Sequence, residues 1–396
     1  MLGFGQNPDN VLKTLANPVV MANIMTPSFS QQAFKDAIRK EIGHTRNGSC
    51  PYESFICLNS GSECVSLALR IADVDARRMT SASGPHNGRP SCLISLKGSF
   101  HGRTERPAQA SDSTRKIYQR YLKSFKGSTP PLYTVTPNDV DELHRIFEQV
   151  EEEGLHVEAM LMEPVMGEGN PGMAITREFY DAARQLTDKY RSLLLVDSIQ
   201  AGLRARGTLS IMDYPGFQDA APPDFETFSK ALNGGQFPLS VLALGPRVEE
   251  IYARGLYGNT MTTNPRALDV AVSILESITP EIRANIVEQG KNMVASFDRL
   301  VERYPDVFTH TSGTGLLNAI ELNPQFPAFG HPRAFEVLCR ELGLGVIHGG
   351  QNALRFTPVF NISKDEVDLV TEVIDEAVPL ARQHLKDGDY ANANSH

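Results

Sequence analysis

Two neighbouring stretches decide the fold: LLLVDSIQ at 193–200 and FETFSKALNGG at 225–235. The first is a short apolar run closed by an acid. The second is an aromatic-rich run closed by a single lysine and then paired glycines. Continuous apolar residues between polar segments read as a strand covered on both faces, the kind found in parallel sheets between layers of helices. A carboxylate at the edge of such a strand must be paired, hydrogen-bonded or put to use, because burying it bare is expensive. A lysine held in small apolar surroundings can act as an amine nucleophile toward a carbonyl. Taken singly, Asp197 reads equally well as a helix cap or an ion-pair partner, and Lys230 as a solvated loop residue.

The same texture repeats outward from this pair. SFICLNSGSECVSLALRIADVDARRM (54–79) is strand, Gly-Ser turn and helix; SCLISLKGSFHGRT (91–104) is an apolar strand running into a glycine loop. VDELHRIFEQVEEEG (140–154) is an amphipathic helix with a glycine stop, VEAMLMEPV (157–165) a strand, and REFYDAARQLTDKYR (177–191) a helix. Alternating strands and helices predict an α/β domain with a mainly parallel sheet and helices on both faces. Ligands of such sheets sit at the carboxyl ends of the strands, where Ser60, Phe100, Glu163, Asp197 and Lys230 fall. From about residue 276 the pattern changes to long amphipathic helices (279–306, 363–385) separated by short strands (313–322, 352–360), which predicts a smaller α+β domain. The expected organisation is an N-terminal segment over 1–40, a large domain over 41–275, a small domain over 276–385 and a flexible polar tail over 386–396.

A chain of 396 residues with 41% hydrophobic and 21% charged residues is globular and long enough for two domains. Its net charge of −9, with no basic block, argues against a nucleic-acid partner. Five cysteines without a CxxC pair suggest a reduced, intracellular protein, and no histidine or cysteine spacing suits a metal. No stretch has the length of a membrane span or the pattern of a signal peptide, so a cytoplasmic protein without a membrane partner is expected. No GxGxxG opens a helix, which disfavours a nicotinamide dehydrogenase.

One cofactor suits a strand-end acid followed by a strand-end lysine. Pyridoxal phosphate needs a lysine for its aldehyde and an acid beside its ring nitrogen, so that the ring can act as an electron sink. It also needs an anion site, and NSGSE at 59–63 offers backbone N–H groups and hydroxyls at a helix start.

Six motifs in order then carry a family resemblance. LLLVDSIQAGLRARG…PPDFETFSKALNGGQFP is similar to D-E-x-Q-T-G…P-D…K-x-x-x-G-G-x-P; NSGSECVSLALRIA to N-S-G-x-E-A; and SFHGRT to an aromatic-H-G-R-T loop. MEPVMGEGN is similar to E-P-x-x-G-E-G-G, NTMTTNPRAL to T-F-G-G-N-P-L-A, and LRFTPVFNISKDEVD to L-R-x-x-P-P. The chain thus resembles the class III aminotransferases, pyridoxal-phosphate enzymes of fold type I.

The resemblance implies an enzyme that moves an amino group from an amino acid or ω-amine to a 2-oxo acid by a ping-pong cycle. Lys230 would hold the cofactor as a Schiff base and carry the proton, Asp197 would face the ring nitrogen, and Gln200 the phenolic oxygen. Phe100 would stack on the ring beside His101, while Gly61 and Ser62 would cradle the phosphate. Thr260 would reach the phosphate of the second subunit of a homodimer with shared sites. Arg355 would bind the substrate carboxylate, Glu168 would pair with it in the substrate's absence, and Glu163 would stand in the same loop. Alternatives on the same fold are a racemase, aminomutase or decarboxylase, or an inactive cofactor-binding homologue.

The pattern is departed from at Ser198, where an acid is usual, at Ala201, at Thr262 and Thr263, at Asn170, and in GLRARG with Arg204 and Arg206. The two arginines would suit a second acidic group on the substrate. GFGQNP (3–8) resembles G-H-x-H-P, which relatives carry several dozen residues further in, so the N-terminal segment is expected to be shortened.

Overall fold

The computed structural model describes residues 2–47, 49–125 and 130–390. They form two compact units. The larger comprises Met1–Pro164, Ala174–Leu203 and Thr208–Ile278; the smaller comprises Val165–Met173, Arg204–Gly207 and Thr279–His396. The chain therefore divides at Ile278/Thr279 rather than 275/276, and two short insertions at 165–173 and 204–207 go with the smaller unit.

The larger unit is built on seven strands: β1 (Ser54–Leu58), β2 (Ser91–Leu96), β3 (Leu132–Val135), β4 (His156–Met162), β5 (Leu193–Asp197), β6 (Phe225–Phe228) and β7 (Ser240–Leu244). Their order across the sheet is β1-β7-β6-β5-β4-β2-β3. Every pair from β6 to β3 is parallel, and β7 alone runs against its two neighbours. The apolar runs explain this. Every residue of β4, β5, β6 and β7 is buried, as a sheet covered on both faces demands.

Helix Gly61–Met79 shows how the covering layer is chosen. Cys64, Val65, Ala68, Ile71 and Ala72 recur at helical spacing and pack with Leu93, Leu161, Leu195 and Leu242 of the sheet. Each fully buried leucine or isoleucine here contributes about 1.5–3 kcal/mol. The helix starts at Ser60, whose Oγ accepts the Glu63 N–H at 3.3 Å, and Glu63 Oε2 in turn accepts the Asn59 N–H at 2.8 Å. β1, β2, β4, β5 and β6 all run the same way, so residues 59–62, 100, 163, 197 and 230 follow strands at one edge of the sheet.

The smaller unit carries an antiparallel sheet of order β10-β11-β9-β8, from β8 (Phe308–Thr314), β9 (Leu317–Leu322), β10 (Ile347–Gly349) and β11 (Ala353–Phe356). Helices Pro280–Arg303 and Lys364–Lys386 belong to it, the latter opened by a reciprocal Ser363/Glu366 capping box. Of the expected tail, Tyr390 is buried and donates its hydroxyl to Arg333 O at 2.9 Å, while residues 391–396 lie outside the described residues. Cys64, Cys92 and Cys339 are buried, and burial pushes the Cys92 and Cys339 thiols up to about 12. Among the described residues no helix is long and apolar enough to cross a membrane.

The opposite edge of the large sheet holds an acid-sensitive feature. His86 stacks on His156 with ring centroids 4.9 Å apart. Burial, then the neighbouring imidazole and arginines, lowers His156 to about 4 and burial lowers His86 as well. A histidine depressed from 6.5 in the folded state is protonated more readily when unfolded. Its stability contribution is complete above pH 6.5 and is lost as pH falls toward 4. Acidifying from pH 7 to 5 is expected to cost on the order of 2 kcal/mol through His156. Denaturant midpoints at the two pH values should show that His156→Phe, which keeps a ring in the stack, removes most of this difference.

Candidate active site

The strand-end residues of the larger unit open on one cavity of about 460 Å³. Gly61, Ser62, Phe100, His101, Asp197, Gln200 and Lys230 all line it, with Ser60, Ile199, Phe237 and Leu239 among the others. Its size and largely apolar wall, with a few convergent polar groups, suit a small planar ligand.

Asp197 closes β5 and is 3% exposed. Its Oδ1 accepts from Thr227 Oγ1 at 3.1 Å and from the Ile199 N–H at 3.2 Å, and its Oδ2 lies 2.8 Å from His101 Nδ1. His101 is itself 1% exposed, its N–H donates to Ser111 Oγ at 2.8 Å, and its buried Nε2 has no hydrogen-bond partner among the described residues. The carboxylate is thus held by groups from three separate segments. Phe100 is anchored from behind: its N–H donates to Oε2 of the buried Glu163 at 3.0 Å. Glu163 therefore stands behind the cavity wall, next to the Phe100 backbone.

Lys230 follows β6 and Ser229 with φ +47°, a left-handed conformation that side chains disfavour. Its carbonyl accepts the Gly235 N–H at 3.0 Å, and the turn is completed by Gly234 at φ +63°. The paired glycines thus close a tight turn whose first residue is the lysine.

The helix start at Gly61–Ser62 offers free-pointing backbone donors for an anion, and the glycine-rich loop opposite is packed against it. Gly102 has φ +123°, and a Cβ there would meet Ser62 Oγ at 2.4 Å and Ser62 Cβ at 3.0 Å. Ser62 Oγ also accepts the Arg103 N–H at 3.2 Å. Gly102→Ala is therefore expected to displace the Ser62 hydroxyl and strain the loop. Affinity for pyridoxal phosphate, read by absorbance titration, should fall by about tenfold or more, and the protein should lose about 1–2 kcal/mol of stability.

The remaining predicted residues lie elsewhere. Thr260 does not line this cavity; its carbonyl accepts the Ile24 N–H at 3.4 Å. Arg355, on β11, and Glu168 both belong to the smaller unit, where Arg355 Nη1 bonds Glu168 Oε2 at 2.8 Å and also the Gly167 carbonyl. Arg204 does not present its charge to solvent: it is buried, donates to Leu316 O at 3.5 Å and to Pro358 O, and lies over the Phe360 ring. Burial lowers it to about 10. It ties backbone together in the smaller unit, which is a structural use rather than the second-acid contact expected of it.

Glu226, on β6 beside the site, is a buried acid that sequence reasoning passed over. It is fully enclosed, and Ser198 Oγ donates to it at 2.5 Å. The missing acid at 198 is thus matched by a carboxylate on the adjacent strand. The available signal was an acid within a four-residue strand that otherwise reads as wholly buried.

The residues fit pyridoxal phosphate on their own chemistry. An acid, a lysine, an aromatic ring and a helix-start anion cradle share one cavity, with the cradle kept open by Gly102.

The family model described as "Aminotransferase class-III" matches residues 4–378. Acetylornithine aminotransferase of Xylella fastidiosa is 31% identical over 341 residues, which are 85% of this chain and 74% of that one. The structure of N-acetylornithine aminotransferase from Stenotrophomonas maltophilia K279a superposes with a TM-score of 0.71 at 25% identity, covering 96% of this chain and 89% of that one. Taurine:2-oxoglutarate aminotransferase from Bifidobacterium kashiwanohense, solved with PLP and glutamate, shares the fold at 19% identity with a TM-score of 0.78, over 97% and 87% of the two chains. A match that runs through both units, on a chain whose cavity suits pyridoxal phosphate, settles the assignment: this chain belongs to the class III aminotransferases, pyridoxal-phosphate-dependent transaminases of fold type I.

Proposed function

We propose that the chain takes the amino group of a carboxylate-bearing amine and passes it to a 2-oxo acid, acting in the cytoplasm as a homodimer. Acetylornithine is the first donor to test, because the curated relative reported above is named for it. The observation that carries the reading is the sharing of one cavity by Lys230, Asp197 and the Gly61–Ser62 helix start.

Pyridoxal phosphate, when bound, supplies an electron sink for the bonds of the amine-bearing carbon. The residues do the rest. Lys230 Nζ would hold the cofactor at its aldehyde carbon and, as a free amine when the substrate amine stands in its place, would carry the proton of the substrate carbon. Asp197 holds a proton at the ring nitrogen, with His101 keeping the carboxylate aimed. Gln200 bonds the phenolic oxygen. Phe100, anchored through Glu163, covers one face of the ring. Gly61 and Ser62 would hold the phosphate, and Thr260 would reach the phosphate held by the second subunit. Arg355 binds the substrate carboxylate through its fork of donors, and Glu168 takes its place on the guanidinium between substrates. A homodimer is supported by the apolar residues left on the larger unit's surface: Val20, Met25 and Phe29 are 87%, 78% and 96% exposed, and Met261 beside Thr260 is half exposed.

The test is a half-reaction. Acetylornithine alone should shift the absorbance of the loaded protein, and 2-oxoglutarate should restore it, since each half of a ping-pong cycle runs alone. A loaded protein whose spectrum responds to neither acetylornithine, ornithine nor taurine would remove amino-group transfer from these donors.

A further inference from the structure

The strand ends that bear Asp197 are stitched on two sides. Toward the cavity, Thr227 Oγ1 and the Ile199 N–H bond Asp197 Oδ1. Successive residues of a strand face opposite ways, so Glu226 lies on the other face from Thr227. There Ser198 Oγ donates to Glu226 Oε1 at 2.5 Å, while the Ser198 N–H donates to Thr227 O at 3.0 Å. Glu226 also accepts from Tyr52 Oη at 2.5 Å, Ser210 Oγ at 2.5 Å and the Ile211 N–H at 3.0 Å. Tyr52, Ser198, Ser210 and Glu226 are all at most 1% exposed.

Two donors thus reach each oxygen of one enclosed carboxylate. Such a network is costly to assemble, since an apolar side chain of similar volume fills a sheet interior without the desolvation penalty. What it gives in return is geometric. A fully satisfied buried network fixes the segments that supply it in one arrangement. The segments here are the approach to β1, the turn after β5, and the turn at 210–211. Only the second touches the cavity, where Ile199 and Gln200 line it beside Asp197. Glu226 itself does not line the cavity.

We propose that Glu226 is a positioning residue, which acts through Ser198 to fix the 197–199 turn and so the aim of the Asp197 carboxylate. The inference rests on the proposed role of Asp197 beside the cofactor's ring nitrogen. Ser198→Ala cuts the link and leaves the Glu226 carboxylate in place. Glu226→Gln keeps the shape and replaces one accepting oxygen with a donor. Tyr52→Phe removes a donor from the same carboxylate without touching residues 197–199, and serves as the control for a purely structural role.

The measurement is titration of the cofactor-free protein with pyridoxal phosphate, followed by absorbance, beside thermal unfolding of each variant. Ser198→Ala and Glu226→Gln should weaken cofactor binding by about tenfold, the scale of one lost hydrogen bond. Tyr52→Phe should stay within about twofold in affinity even where its unfolding temperature falls as far. In an Asp197→Asn background, Ser198→Ala should add nothing further, because its effect passes through the carboxylate. Binding by Ser198→Ala within twofold of wild type, when Asp197→Asn itself binds weakly, overturns the positioning role alone. Unchanged binding by Asp197→Asn overturns the reading of Asp197 and the inference with it. If Glu226→Gln does not fold, Ser198→Ala, a one-atom deletion, decides the matter.

Discussion

Lys230→Ala is expected to abolish turnover, with kcat/KM lower by about 10⁴-fold or more, because in the proposed mechanism one side chain supplies both the nucleophile and the proton carrier. Borohydride treatment of the loaded wild type should leave the cofactor attached to the chain, and the variant should release it. Activity alone does not separate a chemical role from damage, but the backbone at this position provides a second readout. With φ +47°, Lys230 stores strain that the Gly235 N–H bond to its carbonyl and the left-handed Gly234 hold in place. Alanine keeps that strain and glycine relieves it. Lys230→Gly should therefore be as inactive as Lys230→Ala yet more stable by about 1 kcal/mol. Denaturant midpoints of the cofactor-free proteins measure the difference. Equal stability of the two variants would mean that the strain is absent in solution. Retained turnover above about a hundredth of wild type would remove Lys230 from the chemistry.

The parts of this fold legible in the sequence are those that local pattern encodes. β5 announces itself because an uninterrupted apolar run has one good use in a chain of this composition, and the long helices at 280–303 and 364–386 because their apolar residues recur with helical spacing. β3 was missed: Leu132–Val135 is four residues long and three of them are only partly buried, so it lacks the apolar run. Helix Pro265–Glu276 is absent from the sequence-based expectation too, although Asn264 caps it and Pro265 opens it. The candidate site divides in the same way. Single residues at strand ends can be read from local pattern; pairings cannot, and that of Arg355 with Glu168 is implied by the family resemblance alone. His101 meets Asp197 across 96 residues, Arg355 meets Glu168 across 187, and Tyr52 meets Glu226 across 174. No local period carries such distances. Glu226 makes the point most sharply, since only Ser198, Ser210 and Tyr52 together explain why an acid occupies the interior of β6.

Asp197→Asn should lower kcat/KM by about 10²–10³-fold while the protein still folds, in keeping with the loss of one preorganised charge. Asparagine keeps the volume and one accepting oxygen, so the bonds from Thr227 Oγ1 and the Ile199 N–H to Oδ1 survive. What is lost is the negative charge that, in the proposed arrangement, favours a proton on the ring nitrogen. His101, 2.8 Å from Oδ2, cannot replace it, since its own contact to the cavity chemistry runs through that carboxylate. His101→Phe should accordingly cost less, about tenfold, and the double variant should be no worse than Asp197→Asn alone. Steady-state kinetics on the three variants gives the answer. Additive losses would mean that His101 reaches the chemistry by a route of its own, most simply through its buried Nε2. A loss of less than about tenfold in Asp197→Asn would mean that the charge does not face the reacting ring, and that the cavity holds its ligand in another orientation.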